Sequence, residues 1–148
     1  MKGETKSLKL FLISLICSSF LLNFLWESLH GAFLYEGIGA LPAERYVSLI
    51  LYATSVDAVL IVAIYGLVSL VSRNMRWFEE KKKTPLILFI LLGLITAVFI
   101  EIRAVYFQNR WSYSSLMPTV LGIGLSPLIQ LAITGLLATR VTQHLVRK

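Results

Sequence analysis

The chain has 148 residues, 57% of them hydrophobic, and a formal net charge of +6. Soluble domains are about 45–50% apolar, so this composition and a mean hydropathy of +0.77 exclude an ordinary soluble globular domain. The basic residues lie at the ends of apolar runs rather than on one face or arm, and we therefore expect no nucleic-acid partner.

Four apolar runs predict an all-α, polytopic integral membrane protein with a single four-helix transmembrane domain over residues 1–148. The predicted spans cover 10–34, 48–71, 85–107 and 119–141. Each can cross about 30 Å of hydrocarbon at about 1.5 Å per residue. The first run follows basic residues, as a signal peptide does, but it exceeds the roughly 7–15 apolar residues of such signals. We expect it to be retained as the first helix.

The distribution of basic residues predicts the orientation. One side carries eleven of the 14: Lys2, Lys6, Lys9, Arg73, Arg76, Lys81, Lys82, Lys83, Arg140, Arg147 and Lys148. The other side carries Arg45, Arg103 and Arg110. Because positive residues favour the cytoplasmic side, we expect both termini and the 72–84 loop in the cytoplasm. The predicted location is the cell (inner) membrane, with membrane lipids as partners.

Three carboxylates interrupt the apolar spans: Glu27, Asp57 and Glu101. A charge at the bilayer centre costs at least about 2.5–3.5 kcal/mol, so such residues usually face a bundle interior or a wet cavity. With the predicted orientation, all three lie near the midplane or in the outer half. We expect one acidic site open to the outer face or leaflet, with these acids as catalytic residues and Glu27 as its centre.

Other polar and aromatic side chains at similar depth are candidates for binding a ligand: Asn23, Trp26, His30, Arg103, Trp111, Tyr113 and Gln130. Arg103 is the obvious counter-charge. It lies two residues from Glu101, so the two side chains diverge on a helix. We expect Arg103 either to reach Glu27 or Asp57 on a neighbouring helix or to extend to the outer head groups.

The spacing Glu27-x-x-His30 also occurs in di-iron carboxylate bundles. Adding Asp57 and Glu101 gives three carboxylates and one imidazole, a weak candidate set for a divalent metal. The di-iron pattern has two such pairs and this chain has one, which favours a metal-free polar network. Whether the site holds a metal cofactor therefore stays open.

The fourth span is irregular, because Gly122-Ile-Gly124-Leu-Ser126-Pro127 falls inside it. A proline inside a helix removes a backbone hydrogen bond and kinks the chain, which membrane helices tolerate beside a cavity. We expect either a kink at Pro127 that aims Gln130 into a pocket or close helix packing through the small residues.

A resemblance across all four helices rests on three motifs together with Leu34-Tyr35, Asp57 in helix two and Glu101 in helix three. The motifs are Asn23-x-x-Trp26-Glu27-x-x-His30, Trp111-x-Tyr113-x-x-x-Met117-Pro118 and Gly122-x-Gly124-x-Ser126-Pro127-x-x-Gln130. With these motifs the chain resembles a family of uncharacterised small four-helix bacterial integral membrane proteins. Members often carry His-Cys-Thr-x-Gly before the acid of helix two, where this chain has Tyr52-Ala-Thr-Ser-Val56. The departure argues against a metal site built on imidazole and thiolate. The resemblance implies a shared site and brings no activity with it.

Three functions remain open. The first is a membrane-embedded enzyme that uses acid–base chemistry on a lipid or isoprenoid substrate, with two acids of separated proton affinity as general acid and base. The second is a small proton-coupled transporter or exporter that works as an oligomer such as a homodimer. Against it stands an inner half that we expect to be apolar. The third is an accessory membrane subunit.

Overall fold

The computed structural model describes residues 2–80 and 82–146, and side chains from Leu8 onward within those ranges. These ranges hold four long helices: α1 (Lys2–Leu29), α2 (Ala43–Val71), α3 (Lys83–Ile102) and α4 (Leu125–Val146). Two short antiparallel strands precede α4: β1 (Thr119–Val120) and β2 (Ile123–Gly124). The prediction of a mostly helical chain is confirmed.

Four segments are long and apolar enough to cross a membrane: Leu8–Leu34, Ala43–Val71, Lys83–Phe107 and Leu125–Val146. The first three contain the predicted spans. The first and third continue past α1 and α3 through π-helical turns at His30–Leu34 and Arg103–Phe107.

Consecutive helices are antiparallel, so the bundle has two distinct ends. We call the end covered by residues 30–42 and 103–124 the capped end. The opposite end, where α1 begins, α4 ends and residues 72–80 connect α2 to α3, is the terminal end. Helix α1 packs along α2 and α4, and α3 packs along α4, whereas α2 and α3 touch much less. The bundle is therefore loosest on its α2–α3 side.

Small residues bring α3 and α4 close together. A Cβ atom on Gly93 would lie 3.1 Å from the backbone nitrogen of Ala132, and one on Gly135 would lie 2.8 Å from the ring of Phe89. These two glycines allow α3 and α4 to approach closely, and they lie outside the 122–127 segment for which close packing was expected.

Aromatic side chains fill the core at the terminal end. The rings of Phe11 and Phe78 stack with centroids 4.1 Å apart, and Trp77 packs between Phe89 and Tyr65 at 5.7 and 5.4 Å. Stacked and tilted rings at such distances contribute about 0.5–1.5 kcal/mol per pair beyond their burial. This cluster closes the terminal end of the bundle.

The start of the fourth helix differs from the prediction. Helix α4 begins at Leu125 rather than at Thr119, and the preceding residues form the β1–β2 hairpin. Its turn residues, Leu121 and Gly122, both have positive φ, as two-residue hairpin turns require. Pro127 therefore lies in the first turn of α4, where a missing N–H costs nothing. The predicted kink at Pro127 is wrong.

Candidate functional site

A cavity of about 490 Å³ lies between the helices toward the capped end. Its lining includes the polar side chains of Glu27, Asp57, Glu101, Arg110, Trp111 and Gln130. The three predicted acids, contributed by α1, α2 and α3, thus border a single cavity as expected. Their catalytic roles stay predictions.

Gln130 of α4 joins two of the acids. Its Nε2 donates to Glu27 Oε1 at 2.6 Å and to Asp57 Oδ2 at 2.7 Å, with Asn23 Oδ1 also in reach at 3.2 Å. Because one Nε2 atom contacts both, the carboxyl groups of Glu27 and Asp57 are neighbours in the cavity. The arrangement is a pair of acids bridged by one amide.

A second layer of buried polar groups fixes the Gln130 side chain. Thr134 Oγ1 lies 3.1 Å from Asn23 Oδ1 and 2.8 Å from the carbonyl oxygen of Gln130. Asn23 Nδ2 donates to the carbonyl oxygen of Ser19 at 2.8 Å. Asn23, predicted to bind a ligand, does not border the cavity and instead positions Gln130.

Glu101 is held separately by the segment that follows α3. The hydroxyl of Tyr113 donates to Glu101 Oε2, and the indole Nε1 of Trp111 lies 3.4 Å from the same oxygen. A Cβ on Gly124 would come within 2.9 Å of the Tyr113 ring, so only glycine leaves room for that ring. Burial, followed by the hydrogen bond to Glu101, raises the pKa of the Tyr113 phenol to about 12. The phenol therefore stays a donor at neutral pH.

Three aromatic rings pack together at the capped end of the cavity, those of Tyr35, Trp111 and Tyr113, and we call them the aromatic roof. Tyr35 lies at its centre. Its ring centroid is 5.8 Å from that of Trp111 and 5.7 Å from that of Tyr113. Backbone bonds tie the two cap segments together, including one from Ser114 N to the carbonyl oxygen of Leu34 at 2.9 Å. Burial raises the pKa of the Tyr35 phenol far above its ordinary value.

The opening of the cavity lies on the side of the bundle. Leu49, Tyr52 and Val56 of α2 border the cavity and are also exposed, Tyr52 by 64%. Ala97 and Ile100 of α3 line the facing wall. The mouth therefore lies between α2 and α3, where the bundle is loosest, and it is apolar while the interior is acidic.

Two cavity residues were missed by the sequence analysis. Arg110, not Arg103, brings a basic side chain to the described lining, and Tyr35 adds the central ring of the roof. The sequence offers only weak signals for these two residues: Arg110 directly precedes the Trp111 motif, and Tyr35 directly follows the first predicted span.

Besides Asn23, four residues expected to bind a ligand do not border the cavity: Trp26, His30, Arg103 and Tyr113. Arg103 begins a π-helical turn, is exposed, and makes no ion pair with the acids among the described side chains. Its expected pairing with Glu27 or Asp57 is wrong. His30 is buried, and its Nε2 lies 2.7 Å from Ser126 Oγ. His30 follows Glu27 by about one helical turn, and at that level its side chain contacts the start of α4 and not the cavity.

The geometry gives the metal candidates no support. Among the described residues, no three His, Cys, Asp or Glu side chains are grouped as ligands for a metal ion. The Glu27 and Asp57 oxygens face an amide N–H donor, and His30 lies off the cavity.

Comparison of the chain with protein-family models, with curated proteins and with solved structures gives no match. The resemblance to the small four-helix family therefore stays an expectation drawn from its motifs. Any functional argument rests on the cavity itself.

Proposed function

We propose that this protein is a membrane-embedded enzyme that performs acid–base chemistry on the polar group of a lipid or isoprenoid. The single observation that carries the proposal is the Glu27–Asp57 pair, bridged by Gln130, inside a cavity with an apolar lateral mouth. An apolar chain can occupy the mouth while its polar end meets the acids. The volume falls within the range of about 300–1,000 Å³ typical of small-molecule sites.

The carboxyl pair can supply both halves of the chemistry. Two nearby carboxyls cannot easily ionise together, so one is available as an acid while the other acts as a base. Such positioned proton transfer contributes roughly 10²- to 10⁴-fold to a rate. Gln130 does not titrate, so it keeps the pair in place throughout the cycle, and Glu27 is the proposed centre.

The proposal includes an orientation in which the capped end, and with it the cavity, faces outward. The eleven-to-three distribution of basic residues supports it. Reporter fusions after Lys148 and within residues 37–44 should report opposite sides, with the Lys148 fusion cytoplasmic. Signals from one side would contradict the topology.

The chemistry is tested in lipid nanodiscs that contain phospholipids and a polyprenyl phosphate, with lipid products followed by mass spectrometry. We expect conversion by the wild-type protein and at least a hundredfold loss in Glu27→Gln and Asp57→Asn, with thermal stability retained. Glu44→Gln, at an exposed acid in the first turn of α2, is the matched control. Conversion that survives in Glu27→Gln, or wild-type protein that alters none of these lipids, would overturn the enzyme assignment.

One observation favours proton-coupled transport as the second candidate. The half of the bundle toward the terminal end is less apolar than expected, because α4 buries the hydroxyls of Thr134, Thr139 and Thr142. Thr142 Oγ1 has no hydrogen-bond partner among the described residues. Thr134 and Thr142 are about 12 Å apart along the helix, so a proton path would need waters between them.

Transport is tested in liposomes that contain a pH-sensitive dye. A transporter should lose proton flux in Thr142→Val, whereas the enzyme should keep its lipid conversion in that variant. Equal flux in wild type, Thr142→Val and protein-free liposomes would exclude this candidate.

A further inference from the structure

A second cavity, of about 210 Å³, lies at the terminal end between the 77–80 turn, the start of α3 and the last turns of α4. Its lining includes Trp77, Lys82, Lys83, Arg140 and Gln143. It is separated from the acidic cavity by the aromatic core, so it is an independent feature of the fold. Nothing in the acid–base proposal uses it.

The charge of this cavity is positive. Lys82 is paired with Glu80 at 2.9 Å, and both side chains are well exposed. Lys83 and Arg140 make no ion pair with any described side chain. Three basic residues and one acid therefore leave two uncompensated positive charges at the cavity.

An unpaired donor lies in its wall. Trp77 is only 3% exposed, and its indole Nε1 has no hydrogen-bond partner among the described residues. The Nε1 atom is enclosed by protein, so the indole identifies the wall of the cavity and is not a donor open to a ligand. Gln143 Nε2 donates to the carbonyl oxygen of Phe78 at 2.7 Å and fixes α4 against the turn that carries Trp77.

We propose that this cavity binds the phosphate head group of an anionic membrane lipid. Lys83 and Arg140 supply the charge and donate hydrogen bonds to the phosphate oxygens, and the Trp77 side chain lies in the cavity wall beside them. Leu86 and Leu136 complete the lining, giving an apolar border for the acyl chains that a free phosphate ion would not need. Basic pockets between helices on the positively charged side of a membrane protein suit such head groups.

The binding test uses detergent-solubilised full-length protein and native mass spectrometry, with phosphatidylglycerol, phosphatidylcholine and inorganic phosphate as separate probes. We expect phosphatidylglycerol to bind roughly 10- to 30-fold more tightly than phosphatidylcholine, given two uncompensated charges. The variant Lys83→Gln/Arg140→Gln should lose this preference. Arg73→Gln, at an exposed basic residue outside the cavity, should keep it.

A spectroscopic readout covers the case in which the double variant fails to fold. With Trp26 and Trp111 replaced by phenylalanine, Trp77 is the sole tryptophan, and phosphatidylglycerol should change its emission while phosphatidylcholine does not. Equal binding of both lipids, equal losses in the Arg73 control, or a silent Trp77 would overturn the proposal. Inorganic phosphate that competes at concentrations similar to those of the lipid would reassign the site to the free ion. Loss of lipid conversion in Glu27→Gln with intact binding here would keep the two sites distinct.

Discussion

Replacing Gln130 by leucine should destabilise the protein strongly, because one amide serves two acids. A hydrogen bond to a charged group contributes about 1.5–3 kcal/mol, and one to a neutral group about 0.5–1.5 kcal/mol. Gln130 donates to Glu27 at 2.6 Å and to Asp57 at 2.7 Å, and one of these two acids is the neutral member of the proposed acid–base pair. Leucine has a similar volume and leaves no large void, so the loss reports the polar contacts. We expect the free energy of unfolding to fall by about 2–4 kcal/mol in denaturant titrations of the solubilised protein.

Gln143→Leu is the matched control, since Gln143 makes one bond to a neutral carbonyl at 2.7 Å. That substitution should cost only about 0.5–1.5 kcal/mol. In the Gln130→Leu background, Asp57→Asn should recover part of the loss, because a neutral amide at this position removes the like-charge repulsion that Gln130 no longer offsets. The reasoning is refuted if Gln130→Leu costs no more than the control, or if the two changes simply add.

Three further predictions concern the cap and the helix contacts. Gly124→Ala should lower stability by about 1–3 kcal/mol in the same titration, because its Cβ would meet the Tyr113 ring at 2.9 Å; an unchanged value would mean that the ring moves freely. The pKa of Tyr113 is raised from 10.0 to about 12, so the stability it contributes is fully present below pH 10 and is lost as pH rises through 12. The stability difference between wild type and Tyr113→Phe should therefore shrink between pH 10 and pH 12, and a constant difference contradicts this. Gly66→Ala should stabilise α2 by up to about 1 kcal/mol, because nothing lies within 4 Å of its Cβ position. Gly93→Ala should instead lower the stability of the protein, because its Cβ would lie 3.1 Å from the backbone of α4. Equal effects of the two substitutions would refute the close packing of α3 and α4.

The position of the acidic site could be predicted because the cost of intramembrane charge constrains it. The position of each acid along its predicted span assigns Glu27, Asp57 and Glu101 to one layer of the bundle. The same reasoning places Gln130 beside them, and all four border one cavity. Such a constraint acts at each residue and does not depend on distant contacts.

The start of α4 could not be predicted, because residues 119–124 are apolar enough to read as helix. What sets the hairpin is tertiary: the Tyr106 hydroxyl donates to the carbonyl oxygen of Leu121, and Leu125 N donates to that of Pro118 at 2.8 Å. Which arginine borders the cavity, Arg110 or Arg103, likewise depends on the path of the chain after α3. Counting residues along the sequence does not reveal that path.

The π-helical turns make the roof of the acidic cavity sensitive to chain length. They are closed by bonds from Tyr35 N to the carbonyl oxygen of His30 at 3.2 Å and from Gln108 N to that of Arg103 at 3.1 Å. Each turn holds one residue more than an α-helical turn, and one residue corresponds to about 100° of rotation about the axis. Deleting one residue from either turn would restore an α-helix and swing Tyr35 or Trp111 away from the acids. Single-residue insertions and deletions at these two places could thus change which side chains cover the cavity while leaving the Glu27–Asp57 pair unchanged.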